Sequence, residues 1–232
     1  MKRTLLTALF LAWALGVGRA GTITGTIRGE GKPEAEQQES GDGKYDSRKF
    51  KFVEKVNYAE MRDFVVYVEG PVGDKPVPPA APVVVNTRRI AQKGASFSPH
   101  VLPIVVGTTV EWPNNDEIFH NVFSMSDAEP FDLGLYKGNP ADKRVLFHKE
   151  GRVDVFCSIH AQMHCVVLVL PNPYFATADD WGRYAITNIP PGTYQLKAWH
   201  ERLPAQVRQI TVPETGEARA DFVLSITNLP KY

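Results

Sequence analysis

Two short β-prone runs, residues 153–156 and 166–170, stand either side of the segment CSIHAQMH, and that segment constrains the rest of the chain. It offers a thiol at Cys157, an imidazole at His160 and a thioether at Met163, with two residues between each and the next. Another imidazole, His120, lies upstream in WPNNDEIFHNVFS. Two imidazole nitrogens, a thiolate and a distant thioether suit both oxidation states of copper, because the sulfurs favour the cuprous ion and the imidazoles the cupric one. Such a set cycles with little rearrangement when the flanking strands fix the ligands beforehand. The chain therefore needs a rigid β scaffold in which His120 reaches the loop from a neighbouring strand end. Val153, Val155 and Cys157 share one face of their strand, so two core-facing valines carry the sulfur inward.

The remaining pattern is β throughout. Residues 21–28 alternate Thr and Ile before a turn at residues 29–33, and residues 64–68 (FVVYV) are strongly β-prone. Residues 34–50 are almost devoid of apolar side chains and read as a solvated loop. Residues 51–61 leave room for a short helix. Pro71, Pro76, Pro78, Pro79 and Pro82 mark a boundary that cannot join a sheet. Short strands are then predicted at residues 83–85, 101–106, 109–112, 121–123, 145–147, 153–156 and 166–170, with Pro171-Asn172-Pro173 closing the series. Residues 184–186 and 194–199 flank Pro190-Pro191-Gly192-Thr193 in a hairpin-like arrangement, and residues 206–212 and 219–226 supply further strands.

GTTVEWPNNDEIFHNVFS followed by GRVDVFCSIHAQM resembles the cupredoxins of the plastocyanin and amicyanin group, with the short Cys-x-x-His-x-x-Met loop. The resemblance implies a Greek-key sandwich over residues 82–171 holding one type 1 copper ion. His120, Cys157 and His160 would be its equatorial ligands and Met163 the weak axial one. It also implies that Asn121 helps to tie the ligand loops together. The chain departs from the family at His164-Cys165, where a basic residue and Gly are expected. TADDWGRYAITNIPPGTYQLKAWHE is similar to the carboxypeptidase regulatory-like domain, an Ig- or transthyretin-like β-sandwich, and residues 21–33 and 63–70 supply its opening strands. The fold class expected is all-β, with the cupredoxin inserted into this second, smaller sandwich of residues 21–70 and 173–228.

Residues 1–20 read as a cleaved secretory signal: Lys2 and Arg3, an apolar run over residues 5–17, then Gly18-Arg19-Ala20. That run is shorter than the roughly 20 residues of a spanning helix. A periplasmic chain with no transmembrane segment after cleavage is expected. The formal charge is zero, so a nucleic-acid partner is not. By resemblance, the partner is a redox protein such as a c-type cytochrome or a periplasmic dehydrogenase.

A disulfide between Cys157 and Cys165 is the competing reading, since the chain holds two cysteines and their separation permits one. Zinc suits Cys-His-His, but Met is a poor ligand for it. His164 has the parity opposite to Met163 and should face solvent. His100 reads as a satisfied core or edge histidine, His148 as part of a solvated turn, and His200 as a lone histidine after an aromatic. Residues 131–136 (FDLGLY) read as a packed loop or a rim patch. No nucleophile elbow, His-Glu-x-x-His or phosphate loop is present, so the expectation is an electron carrier rather than an enzyme. A copper-binding or envelope-interaction module without redox turnover is the alternative. A second copper centre would need further His pairs that the sequence does not display.

Overall fold

The computed structural model describes residues 20–31, 56–72 and 87–226. The expected signal, the solvated loop at residues 34–50, most of the proline-rich boundary and the strand at residues 83–85 lie outside them.

The described residues begin with strand β1 (Gly21–Glu30), followed by a single 3₁₀ turn, Tyr58–Glu60, and strand β2 (Val65–Val68). A middle group follows: β3 (Thr87–Arg89), β4 (Ala91–Gln92), β5 (Phe97–Ser98), β6 (Val101–Val105), β7 (Thr109–Glu111), β8 (His120–Ser124), β9 (Phe131–Tyr136), β10 (Arg144–Leu146), β11 (Gly151–Phe156) and β12 (His164–Leu170). The last group is β13 (Phe175–Thr177), β14 (Arg183–Ile189), β15 (Gly192–His200), β16 (Leu203–Val212), β17 (Glu217–Arg219) and β18 (Phe222–Ser225). The protein is all-β, as expected.

The middle group forms a sheet in the order β6-β12-β11-β8-β9, opposed by β10-β7-β3, with β4 and β5 as a small hairpin. Val153, Val155, Val167, Val169, Val122, Trp112 and Phe147 fill the space between. The outer groups combine: β1 pairs with β14, β17 and β18, and the sheet β13-β2-β15-β16 faces it. On β1 the odd residues point inward, placing Ile23 and Ile27 in a core shared with Val66, Ile186, Leu196 and Phe222.

The apolar runs of β2 and β12 are continuous because both faces of each strand are covered. Val66 and Val68 enter the core beneath β1, whereas Val65 and Tyr67 turn outward. Cys165, Val167 and Val169 enter the core of the middle group, whereas Val166, Leu168 and Leu170 turn the other way. The two outward sets meet, with Val101, Phe175 and Trp199, in a third apolar cluster that joins the sandwiches. Asn172 pins the crossing between them: its amide donates to the carbonyls of Val68 and Gly70, each at 2.8 Å, and its Oδ1 accepts from Tyr174 N.

Several expectations change. Residues 184–186 and 194–199 do not pair: β14 bonds to β1, and β15 bonds to β2 and β16. Pro190-Pro191 carries the chain from one sheet to the other, and the hairpin is β15–β16. Residues 131–136 form the edge strand β9 against β8 rather than a loop. The predicted strand over residues 219–226 divides into β17 and β18. The short strands β3, β4, β5 and β13 had no readable periodicity.

Candidate metal centre

The antiparallel pairing of β11 with β12 runs from Gly151↔Val169 to Phe156↔His164, leaving residues 157–163 as the connecting loop. Two internal bonds shape it: Met163 N–H donates to the His160 carbonyl at 2.9 Å, and Cys157 N–H donates to the Met163 carbonyl at 3.3 Å. Cys157 continues the inward face of Val153 and Val155, and its sulfur is buried. His120 opens β8, the neighbour of β11 in the sheet, and is fully buried.

One donor atom from each of His120, Cys157 and His160 lies within 4.8 Å of the other two. His120 Nδ1 is 3.1 Å from His160 Nδ1, and Cys157 Sγ is 3.7 Å from His160 Nδ1. The two rings meet edge-on with centroids 4.8 Å apart. Met163 is buried in the same apolar cluster as Cys157 and shares its loop. Both cysteines are free and buried, which removes the disulfide reading.

Asp116, which no motif in the sequence marks, fixes the ring of His120. Its Oδ2 lies 2.8 Å from His120 Nε2. The same carboxylate accepts from Gly94 N at 2.7 Å and Ala95 N at 3.0 Å, on the β4–β5 turn. Gly94 and Ala95 have φ of 62° and 51°, a left-handed pair that aims both amides at the carboxylate. These bonds, with the Ala95 amide foremost and then His120, hold the Asp116 carboxyl down to about 2. An ionised carboxylate is an acceptor, so it takes Nε2–H and leaves Nδ1 with its lone pair facing His160 and Cys157. Asn121 supplies the tie that the resemblance implied: its Oδ1 accepts from Ser158 N at 3.3 Å, and its amide donates to Asp132 at 2.7 Å.

This donor set fits a metal ion. An unprotonated imidazole nitrogen, a second imidazole and a thiol converge, and the far nitrogen of His120 is already held by Asp116. His160 is partly exposed, while Phe119 and Ile159, beside the two histidines in sequence, are 58% and 52% exposed. Leu135, opposite Asn121 in the β8–β9 pairing, is 60% exposed.

His148 is exposed, as read. His200 is buried against Phe64, with centroids 4.7 Å apart, and burial lowers its pKa. His164 does not face open solvent: its Nε2 lies 2.9 Å from Asp154 Oδ1. His100 and His164, taken singly in the sequence, stand together with ring centroids 5.6 Å apart.

Comparison with known proteins adds partial likenesses. The model of polysaccharide lyase family 4, domain II, matches residues 172–220, the stretch that includes β13 to β17. No curated protein matches the chain. Among solved structures, a copper-containing nitrite reductase from Thermus scotoductus SA-01 is 28% identical over 45% of this chain, with a TM-score of 0.36. The match spans 28% of that reductase's length. A purple cupredoxin from Nitrosopumilus maritimus is 29% identical, covering 35% of this chain and 98% of its own, with a TM-score of 0.30. Oxidised amicyanin, as a proline-to-glycine variant, is 25% identical, covering 39% and 88%, with a TM-score of 0.34. The solved neighbours are cupredoxins, each matched over part of the chain.

Proposed function

We propose that this protein is a secreted, periplasmic electron carrier built on one type 1 copper ion and is not itself an enzyme. The observation that carries the reading is the pair of Nδ1 atoms of His120 and His160, 3.1 Å apart with the Cys157 thiol 3.7 Å from the latter. His120, Cys157, His160 and Met163 would hold the ion. Copper so held supplies one-electron redox chemistry with little change of geometry. The chain's own part is to keep His120 in the right tautomer through Asp116, to hold the loop through Asn121, and to bury the sulfur. His160 reaches the surface, so its ring edge is the exit for the electron. Exposed Phe119, Ile159 and Leu135 give the apolar ground on which a redox partner, a c-type cytochrome or periplasmic dehydrogenase, would dock.

In this reading the cupredoxin occupies residues 82–171 and interrupts a regulatory-like sandwich of residues 21–70 and 173–228. The separate apolar cores, joined through the third cluster, support that division. Copper-loaded protein should show an intense thiolate-to-copper band and a narrow-hyperfine paramagnetic spectrum, both lost in Cys157→Ser. Reductant should bleach the band and oxidant restore it. A colourless copper complex overturns the site, and a coloured complex that cannot be cycled overturns the carrier.

A further inference from the structure

The turn between β15 and β16 carries Glu201 across the junction of the sandwiches to the start of β12 and the residue before β6. His100 Nε2 lies 2.8 Å from Glu201 Oε1, and His164 Nδ1 lies 4.0 Å from Glu201 Oε2. One donor atom from each of the three residues lies within 4.8 Å of the other two. Both rings are anchored from behind. His100 Nδ1 is 3.2 Å from the His164 carbonyl and donates to it, which leaves Nε2 for Glu201. His164 Nε2 is 2.9 Å from Asp154, whose carboxylate Arg152 grips with two bonds of 2.7 and 2.8 Å. That leaves His164 Nδ1 turned toward the same glutamate.

An imidazole fixed through its second nitrogen by a carbonyl or a carboxylate is how proteins orient metal-binding histidines. Ligands about 2.0–2.1 Å from a tetrahedral ion stand about 3.3 Å from each other, within the span these atoms already occupy. The donors are nitrogen and oxygen without sulfur, which suits zinc or a divalent neighbour and not the cuprous ion. The His100 side chain is 37% exposed and that of Glu201 16%, so an ion here would have a path from solvent. We propose that His100, His164 and Glu201 form a second metal site, of the zinc class, that clips the two sandwiches together. In the metal-free protein a proton shared between His100 and Glu201 fills the gap, and the ion displaces it.

Cobalt(II) titrated into the metal-free full-length chain tests this, because its spectrum separates the two sites. Ligation by Cys157 gives thiolate-to-cobalt charge transfer, whereas the second site gives ligand-field bands without it. The wild type should bind an equivalent of the thiolate-free kind, displaced by zinc, with a rise in Tm. Glu201→Gln and His100→Gln, which keep polar partners at the junction, should weaken that component about 100-fold or more and spare the thiolate component. Cys157→Ser should do the reverse. The proposal is overturned if the wild type takes up no thiolate-free cobalt, or if Glu201→Gln and His100→Gln both retain it. Loss of the thiolate signal alone would count against the electron-carrier site and leave this one standing.

Discussion

Replacing Asp116 by Asn tests how the buried histidine is held. The carboxylate accepts three bonds, from Gly94 N, Ala95 N and His120 Nε2, at 2.7, 3.0 and 2.8 Å. An amide has one oxygen, so it can retain the Gly94 bond while its NH₂ confronts the Ala95 and His120 donors. Two bonds to a charged group are lost, each worth roughly 1.5–3 kcal/mol. The Asp116 side chain keeps 14% exposure, so water replaces part of this, and the expected loss is about 3 kcal/mol. For a chain of this length that is a fall in Tm of about 6–12 °C. The second effect is chemical. An amide NH₂ facing Nε2 favours the tautomer protonated at Nδ1, the atom turned to His160, and copper must then displace that proton. Disturbing a residue behind a ligand costs about 10–100-fold in metal affinity. Chelator competition gives the affinity, thermal melting of metal-free protein the stability, and nitrogen chemical shifts of His120 the tautomer. A variant that binds copper as tightly as the wild type with the Nε2-protonated tautomer would refute the reasoning.

Other outcomes follow from the scaffold. Leu168→Ala removes an apolar side chain from the cluster between the sandwiches and should cost about 2–4 kcal/mol while leaving the copper spectrum unchanged; a change in the visible band before unfolding would show that the cluster shapes the site. A Cβ on Gly25 would run into the carbonyl of Ala220, which already accepts the Tyr184 hydroxyl, so Gly25→Ala should destabilise by about 3 kcal/mol in chemical denaturation. Asp221 accepts from Thr26 N and Oγ1 and pairs with Arg219, which together hold its carboxyl below the ordinary carboxylate range. A carboxyl depressed by folding contributes fully above its ordinary value and loses that contribution as acid protonates it in the folded state. Asp221→Asn should therefore lower Tm at neutral pH, and the gap should narrow below about pH 3.8; a gap that widens in acid would contradict the assignment.

What the sequence disclosed followed from local periodicity. The parity of Val153, Val155 and Cys157 carried the sulfur inward, and the three residues are buried together. The unbroken apolar character of residues 166–170 signalled a strand, although not that its second face belongs to another core. Residues 131–136 alternate apolar and polar from Phe131 to Leu135, but Asp132 and Gly134 are turn-forming residue types and mask the strand. Asp116 could not be recognised because its partners sit on a two-residue turn between strands too short to show a pattern. Glu201 meets His100 across 101 positions of chain, a distance over which spacing carries no information. The pairing of β14 with β1, in place of β15, depends on which sheet completes the outer core, and turn chemistry at Pro190-Pro191-Gly192 does not specify it.

The partners of β1 and β2 have a consequence for how the molecule comes into being. β1 bonds to β14, β17 and β18, and β2 to β13 and β15, all beyond residue 172. The strands of β3 to β12 find their ladders among themselves. A chain emerging from its amino end would release two threads with nothing to join, then a length able to close on its own, and lastly the strands that recover the threads. Loops that long make late joining slow. The candidate metal centre would thus mature ahead of the frame that carries it, and a nascent chain stalled near residue 172 is expected to take up metal already.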